Sequence, residues 1–303
     1  MKVYNRLNEY LINKFGSRTL KISIDGGFTC PNRDGSKSTG GCIFCGEKGS
    51  GVNLKSNLDI SNQVRNLLNY KKDRANKFIV YFQNFTNTYA SIDTLKEKYD
   101  SALIDERIVG LDIDTRADCI NEEVCKLLSS YKDKYEVFVE LGLQSVNEKT
   151  HTFINQHITN QDFINALELL NKYKIETIIH IMVGLPNETN EDLNNLVKFL
   201  NKCNYQGLKI HSTYIVKNTV LEELYNNGYY KPLDYDDYID SLLFILTNIS
   251  PDVIIHRITG DPGKEEFVAP NWMLHKKKVL NEIDKIMSSN NLYQGKFYKK
   301  KKE

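Results

Sequence analysis

Short apolar, β-branched runs recur along the first five-sixths of the chain: Leu20–Ile24, Phe78–Phe82, Ile108–Ile113, Tyr135–Leu141, Ile175–Val183 and Leu208–Val216, with a weaker seventh at Val253–Ile258. They are near-continuous rather than alternating, as expected of parallel strands covered on both faces. Between them the apolar positions switch to helical spacing. After Asn160, residues Phe163, Ile164, Leu167 and Leu170 form one stripe, and Leu193, Leu196, Val197 and Leu200 form the next. Ser61–Lys72, Ser91–Leu103, Asn121–Tyr131 and Tyr235–Asn248 are further helices, the third opening on a cap residue followed by Glu122 and Glu123. Six rounds of strand and helix predict a parallel α/β architecture with right-handed crossovers, either an open doubly wound sheet or a full or partial barrel. In each case the chemistry belongs at the loops that follow the strands.

Composition changes this picture little. The 303 residues are 41% hydrophobic and 26% charged, with a net charge of +1. A protein basic all over is excluded, so any nucleic-acid surface must be a local patch. No run approaches the roughly 20 apolar residues of a membrane span. Met1–Phe15 lacks the apolar core of a secretory signal. The expectation is a cytoplasmic protein whose six cysteines are thiols or metal ligands rather than disulfides. The expected organisation is an N-terminal extension over residues 1–19, a barrel over 20–260, and a C-terminal extension over 261–303 that ends in a basic tail.

The segment after the first strand, Asp25–Gly51, carries the chemistry. It reads DGGFTCPNRDGSKSTGGCIFCGEKGSG and places Cys30, Cys42 and Cys45 at C-x11-C-x2-C among eight glycines. Glycine tolerates positive φ and close approach, so the loop can fold around a bulky inorganic body. Thiolates are the usual iron–sulfur ligands, and three of them on a four-iron cluster leave one iron open to a chelating substrate. Zinc in a non-catalytic scaffold needs a fourth ligand, and no histidine precedes His151. A redox pair at Cys42 and Cys45 leaves Cys30 unexplained. Cys119, Cys125 and Cys203 form no second cluster motif. Cys119 and Cys125 stand six apart in a predicted helix, so they share no face.

This loop resembles the cluster loop of radical S-adenosylmethionine (SAM) enzymes, with Phe44 as the aromatic before the last cysteine. The long first interval resembles the branch related to the catalytic subunit of elongator. So do LDIDTRAD at Leu111–Asp118, ELGLQS at Glu140–Ser145 and HIMVGLP at His180–Pro186, each ending a predicted strand. HRITGDP at His256–Pro262 and FVAPNW at Phe267–Trp272 look like the YhcC/YtqA (MnmL-type) subfamily. The resemblance implies a partial (β/α)6 TIM-like barrel with a short C-terminal helical extension, a 4Fe–4S cluster on Cys30, Cys42 and Cys45, and bound SAM. It implies SAM contacts from Phe44, from Gln83 and Asn84 toward the methionine amino group, and from Asp114 and Arg116 toward ribose and carboxylate. Glu140 and Gln144 would reach ribose hydroxyls or the amino group, and Met182 to Gly184 would lie along the adenine. His180 and His211 sit in strands and either face the mouth or are satisfied core residues.

The same resemblance implies reductive cleavage of SAM to a 5′-deoxyadenosyl radical, with flavodoxin or ferredoxin as electron donor. It points to the C5 substituent of a wobble uridine in tRNA as the target; a small-molecule substrate is the alternative. Too few residues follow Gly260 for an acetyltransferase domain, so remodelling of an existing substituent is expected rather than chemistry from acetyl-CoA. Lys276, Lys277 and Lys278, with Lys299–Lys302, offer phosphate contacts. Tyr229, Tyr230 and Trp272 either offer stacking surfaces or pack in the core.

Overall fold

The computed structural model describes residues 3–47, 49, 54 and 57–299. Its strands are β1 (Thr19–Ile24), β2 (Lys77–Phe82), β3 (Ile108–Thr115), β4 (Glu136–Gln144), β5 (Glu176–Val183), β6 (Gly207–Ser212), β7 (Ile215–Val216), β8 (Ile254–Arg257) and β9 (Phe267–Ala269). Its α-helices are α1 (Leu7–Phe15), α2 (Ile60–Lys71), α3 (Ile92–Asp100), α4 (Glu122–Ser130), α5 (Glu148–Phe153), α6 (Asn160–Lys172), α7 (Asn190–Leu200), α8 (Val220–Asn226), α9 (Tyr235–Asn248) and α10 (Lys276–Ser289). Strands β1 to β6 and β8 form one parallel sheet in that order, curled into a partial barrel. The end strands β1 and β8 are not hydrogen-bonded neighbours, so the barrel stays open along one seam.

Each crossover helix starts where the sequence provides a cap. Asp59, Ser91, Asn121, Thr159 and Thr189 accept from backbone N–H groups of the first turn, and Thr159 and Thr189 complete capping boxes with Asp162 and Asp192. The helices press their apolar stripes onto the outer face of the sheet, where Phe78, Phe82, Tyr99, Phe163 and Tyr238 are fully buried. The base of the barrel is shut by α1, whose Leu11 packs with Ile79, Phe138 and Ile178. A third apolar cluster lies at the mouth and joins Ile43 of the cysteine loop to Ile154, Met182, Leu221 and Tyr230.

Two sequence expectations are corrected, and the weaker seventh run is borne out. The run Leu208–Val216 is two elements: the chain turns at Thr213 and Tyr214, and β7 leaves the sheet to pair antiparallel with β9. The weak seventh run is real and supplies β8, so the sheet has seven strands rather than six. Cys119 lies in a 3-10 turn before α4 rather than in that helix, because Asn121 caps the helix after it. The segment after residue 260 is stitched to the barrel by β9 against β7 and by α10 against α9. No described helix is long and apolar enough to cross a membrane.

Candidate active site

The loops after the parallel strands converge on one cavity at the barrel mouth, as the strand-end rule requires. Cys30, Cys42 and Cys45 all line it. The cysteine loop is shaped by its own backbone. Arg33 and Asp34 donate to the Cys30 carbonyl, Cys45 donates to that of Cys42, and Gly41 donates to that of Asn32. Gly41 has φ 77°, and a Cβ there would stand 2.7 Å from Arg33 Nε, so glycine is required on both counts. The Arg33 guanidinium donates to the carbonyls of Cys45 (2.7 Å) and Gly46 (2.8 Å), and lies 5.7 Å from the Phe85 ring centroid. Asn32 donates its amide to Cys42 Sγ at 3.6 Å.

The electrostatics of Cys42 and Cys45 bear on what the loop can hold. Burial, then the neighbouring Cys45, pushes Cys42 up to about 12, against the lowering pull of Arg116. Burial raises Cys45 too, with Arg33 pulling the other way. Burial and the neighbouring thiols thus raise the cost of ionising Cys42 and Cys45, and a cationic body bound by the thiolates reverses that. Two guanidiniums and an amide donor already favour the thiolate form. The donor set, three sulfurs and no imidazole among them, fits an iron–sulfur cluster with one iron left open.

Below this cavity the barrel is charged rather than apolar. Glu140 is fully buried and meets three partners: Lys21 Nζ at 2.8 Å, His180 Nε2 at 2.8 Å, and Lys209. Lys21 also pairs with Asp112. Burial favours a neutral Glu140, but the ammonium groups of Lys209 and Lys21 overcome it and hold the carboxyl well below the usual range. Burial and the charge of Glu140 push Asp112 up to about 7, and push Asp114 well above the carboxylate range. Burial lowers Lys209 to about 8 and His180 to about 4. One oxygen or nitrogen from each of Asp114, Glu140 and His180 comes within 4.8 Å of the others. With two ammonium groups on Glu140, this is an ion-pair network rather than a metal site.

The sequence-predicted residues divide by wall. Phe44, Asp114, Arg116, Gln144 and Met182 line the cavity with the three cysteines. Arg116 already donates through Nε and Nη2 to Asp118 and through Nη1 to the Gln156 carbonyl. Gln144 holds φ 66° at a register break in β4, a strained placement that aims its side chain at the mouth. Gln83 lines an adjoining cavity instead. Asn84 is buried and donates to Asp25, Glu140 stands in the layer below, and Gly184 packs behind under Leu233. His180 and His211 do face the mouth. Sequence reading missed Arg33, Phe85, Gln156 and Tyr214; Arg33 was legible as the one guanidinium inside the cysteine loop.

The proposed nucleic-acid residues also divide. Lys277 and Lys278 are exposed at the first turn of α10, while Lys276 pairs with Asp261 at 3.2 Å. Tyr229 is 80% exposed. Tyr230 and Trp272 take the core-packing alternative: Tyr230 donates to the Gly184 carbonyl, and Trp272 stacks on Tyr238 and donates to the Leu233 carbonyl. Lys299 is described, and Lys300–Lys302 lie outside the described residues.

Residues 32–200 match the family model of the Radical SAM superfamily, and residues 205–289 match the Radical_SAM C-terminal domain. The chain is 37% identical to YtqA of Bacillus subtilis, over 100% of this chain and 95% of that protein. It is 30% identical to YhcC of Escherichia coli, over 95% of this chain and 93% of that protein. Among solved structures, Elp3 of Methanocaldococcus infernus superposes with a TM-score of 0.69 at 18% identity, covering 91% of this chain and 64% of that one.

Proposed function

The chain belongs to the radical SAM superfamily, and from that premise we propose that it is a tRNA-modifying enzyme acting on the C5 substituent of a wobble uridine. Its cofactors are a 4Fe–4S cluster and SAM. When bound, they supply a one-electron cleavage of the S–C5′ bond that yields a 5′-deoxyadenosyl radical. The chain's own part is to hold, orient and exclude water. Cys30, Cys42 and Cys45 would hold the cluster, with Arg33 and Arg116 supporting thiolate charge. Asp114, Gln144, Met182 and Phe44 would line the bound SAM, and the remaining donors of Arg116 would face its carboxylate. Gln83, Asn84, Glu140 and Gly184 would support that wall from the second cavity and the layers behind. Flavodoxin or ferredoxin would supply the electron.

The observation that carries the tRNA reading is Lys276–Lys278 in the first turn of α10. Cations oppose the positive end of a helix, at a cost of roughly 0.3–1 kcal/mol each. Lys276 pairs with Asp261 and Lys278 Nζ lies 4.4 Å from the Tyr235 ring centroid; exposed Lys277, with no partner among the described residues, gains its compensation elsewhere. Phosphate contact is the simplest such gain.

The test is anaerobic reconstitution with iron and sulfide, then dithionite-dependent release of 5′-deoxyadenosine, for the parent and Cys42→Ala. tRNA from cells lacking the protein is then incubated with the parent, and its nucleosides are separated by mass. Release that needs Cys42, with a mass change confined to the wobble uridine, supports the reading. Release without any change in tRNA at low salt refutes the tRNA assignment.

A further inference from the structure

Beside the thiol cavity lies a second one of about 260 Å³. The two share Asp114, His180, His211 and Tyr214 on their walls, so they are chambers of one space. Arg257, at the end of β8, lines the second chamber and not the thiol chamber. Among the described residues it makes no ion pair and donates no side-chain hydrogen bond.

The nearby acids do not neutralise it. Glu140 and Asp112 are taken by Lys21 and Lys209. Asp114 accepts from the Tyr81 hydroxyl at 3.1 Å and is held toward its neutral form by burial and by Glu140. Asp261 turns to Lys276, with most of its side chain in solvent. The other groups are cationic or neutral: burial, His180, Arg257 and Lys209 all press His211 well below the imidazole range. His211 Nε2 is a buried atom with no hydrogen-bond partner. A half-buried guanidinium without a counter-charge, beside an orphaned ring nitrogen, costs stability unless something fills the chamber.

We propose that Arg257 is the anchor for a carboxylate carried by the substrate, seated in this second chamber with its chain leading back toward the thiol cavity. The inference rests on the proposed function for what enters the mouth. A planar fork that donates two parallel hydrogen bonds suits a carboxylate. His211 Nε2 is placed to supply a further contact. Arg116 stays with the cluster side, so the two guanidiniums sort two carboxylates: that of SAM and that of the substrate.

The test uses two anticodon stem-loops that differ only at the wobble uridine, one carrying 5-carboxymethyl and the other its methyl ester. Binding to the reconstituted protein is measured by fluorescence anisotropy. The parent is expected to prefer the acid roughly 10- to 100-fold, the range for a hydrogen bond to a charged group. Arg257→Met should abolish the preference, and Arg257→Lys should keep part of it. Equal binding by the parent, or a preference that survives in Arg257→Met, overturns the proposal. If neither stem-loop binds, the tRNA reading fails and a second arm decides the anchor. Phenylglyoxal modification of the parent is mapped by mass spectrometry in acetate, chloride and inorganic phosphate at equal ionic strength. Slower modification of Arg257 in acetate, with exposed Arg18 unchanged, supports the anchor. No difference between acetate and chloride, or stronger protection by phosphate, overturns it.

Discussion

Glu140 holds the charged floor of the barrel, and removing its charge should be costly in a calculable way. In Glu140→Gln the shape is kept, but Lys21 and Lys209 lose the carboxylate that both contact. Leaving buried charge uncompensated typically costs about 3–5 kcal/mol. Part of this returns. Burial and Glu140 together push Asp112 up to about 7, so without the Glu140 charge Asp112 ionises more fully against Lys21. The low end, about 3 kcal/mol, is therefore expected. A chain of 303 residues has an unfolding entropy near 0.6 kcal/mol/K at about 2.1 cal/mol/K per residue, so the melting temperature should fall by about 5 °C. Calorimetry and urea unfolding of the cluster-free protein at pH 7.5 would measure both quantities. A loss below about 1 kcal/mol, or a gain, would refute the reasoning, because it would mean the two lysines are already neutral in the fold.

Three further outcomes follow from the same geometry. Asp112 holds a proton in the folded chain up to about pH 7 that the unfolded chain releases near 3.8, so it makes stability fall as pH rises through that window. The buried imidazoles act in the opposite sense, so the quantity to plot is the parent's stability minus that of Asp112→Asn, which should decline from pH 5 to 7 and then level off. Lys277→Glu should raise stability by roughly 0.5 kcal/mol through the helix dipole, yet weaken tRNA binding and reduce its salt slope by about one unit; weaker binding with an unchanged slope would point away from phosphate. Thr159→Ala removes the hydroxyl of an exposed capping box and should cost about 1 kcal/mol in urea unfolding while leaving iron content unchanged.

The strand order and the cysteine loop were legible because both depend on local signals. Parallel strands buried on both faces must be continuously apolar, and three thiols in a glycine-rich loop have few uses. The split after Ser212 was not legible. The residues Ile215 and Val216 look like more of the same strand, and only a partner some fifty positions away, β9, draws them out of the sheet. Sequence left Tyr230 and Trp272 open between stacking and core packing, because an aromatic near a basic run looks the same whether it stacks on a base or on Tyr238. The charged floor was hidden for a similar reason. Lys21, Asp112, Glu140 and Lys209 each read as a lone polar residue within an apolar strand, and only curling the sheet brings them together. Arg257 lies in the HRITGDP run, but its lack of a partner among the described residues is a fact of three dimensions.

The open seam of the barrel has a bearing on self-association. A curled sheet that does not close leaves two bare margins, each a template for a strand from another molecule. Here both are guarded by the chain itself. At β8 the Ile255 N–H is taken by the Asn5 carbonyl, and residue 6 forms a bridge with residue 255. At β1 the Lys71 ammonium donates to the Lys21 carbonyl at 3.3 Å. Across the gap itself Lys21 Nζ lies 3.4 Å from His256 Nδ1, putting a charge where an incoming strand would have to lie. The protein can thus keep an unclosed barrel without leaving either margin of its sheet bare.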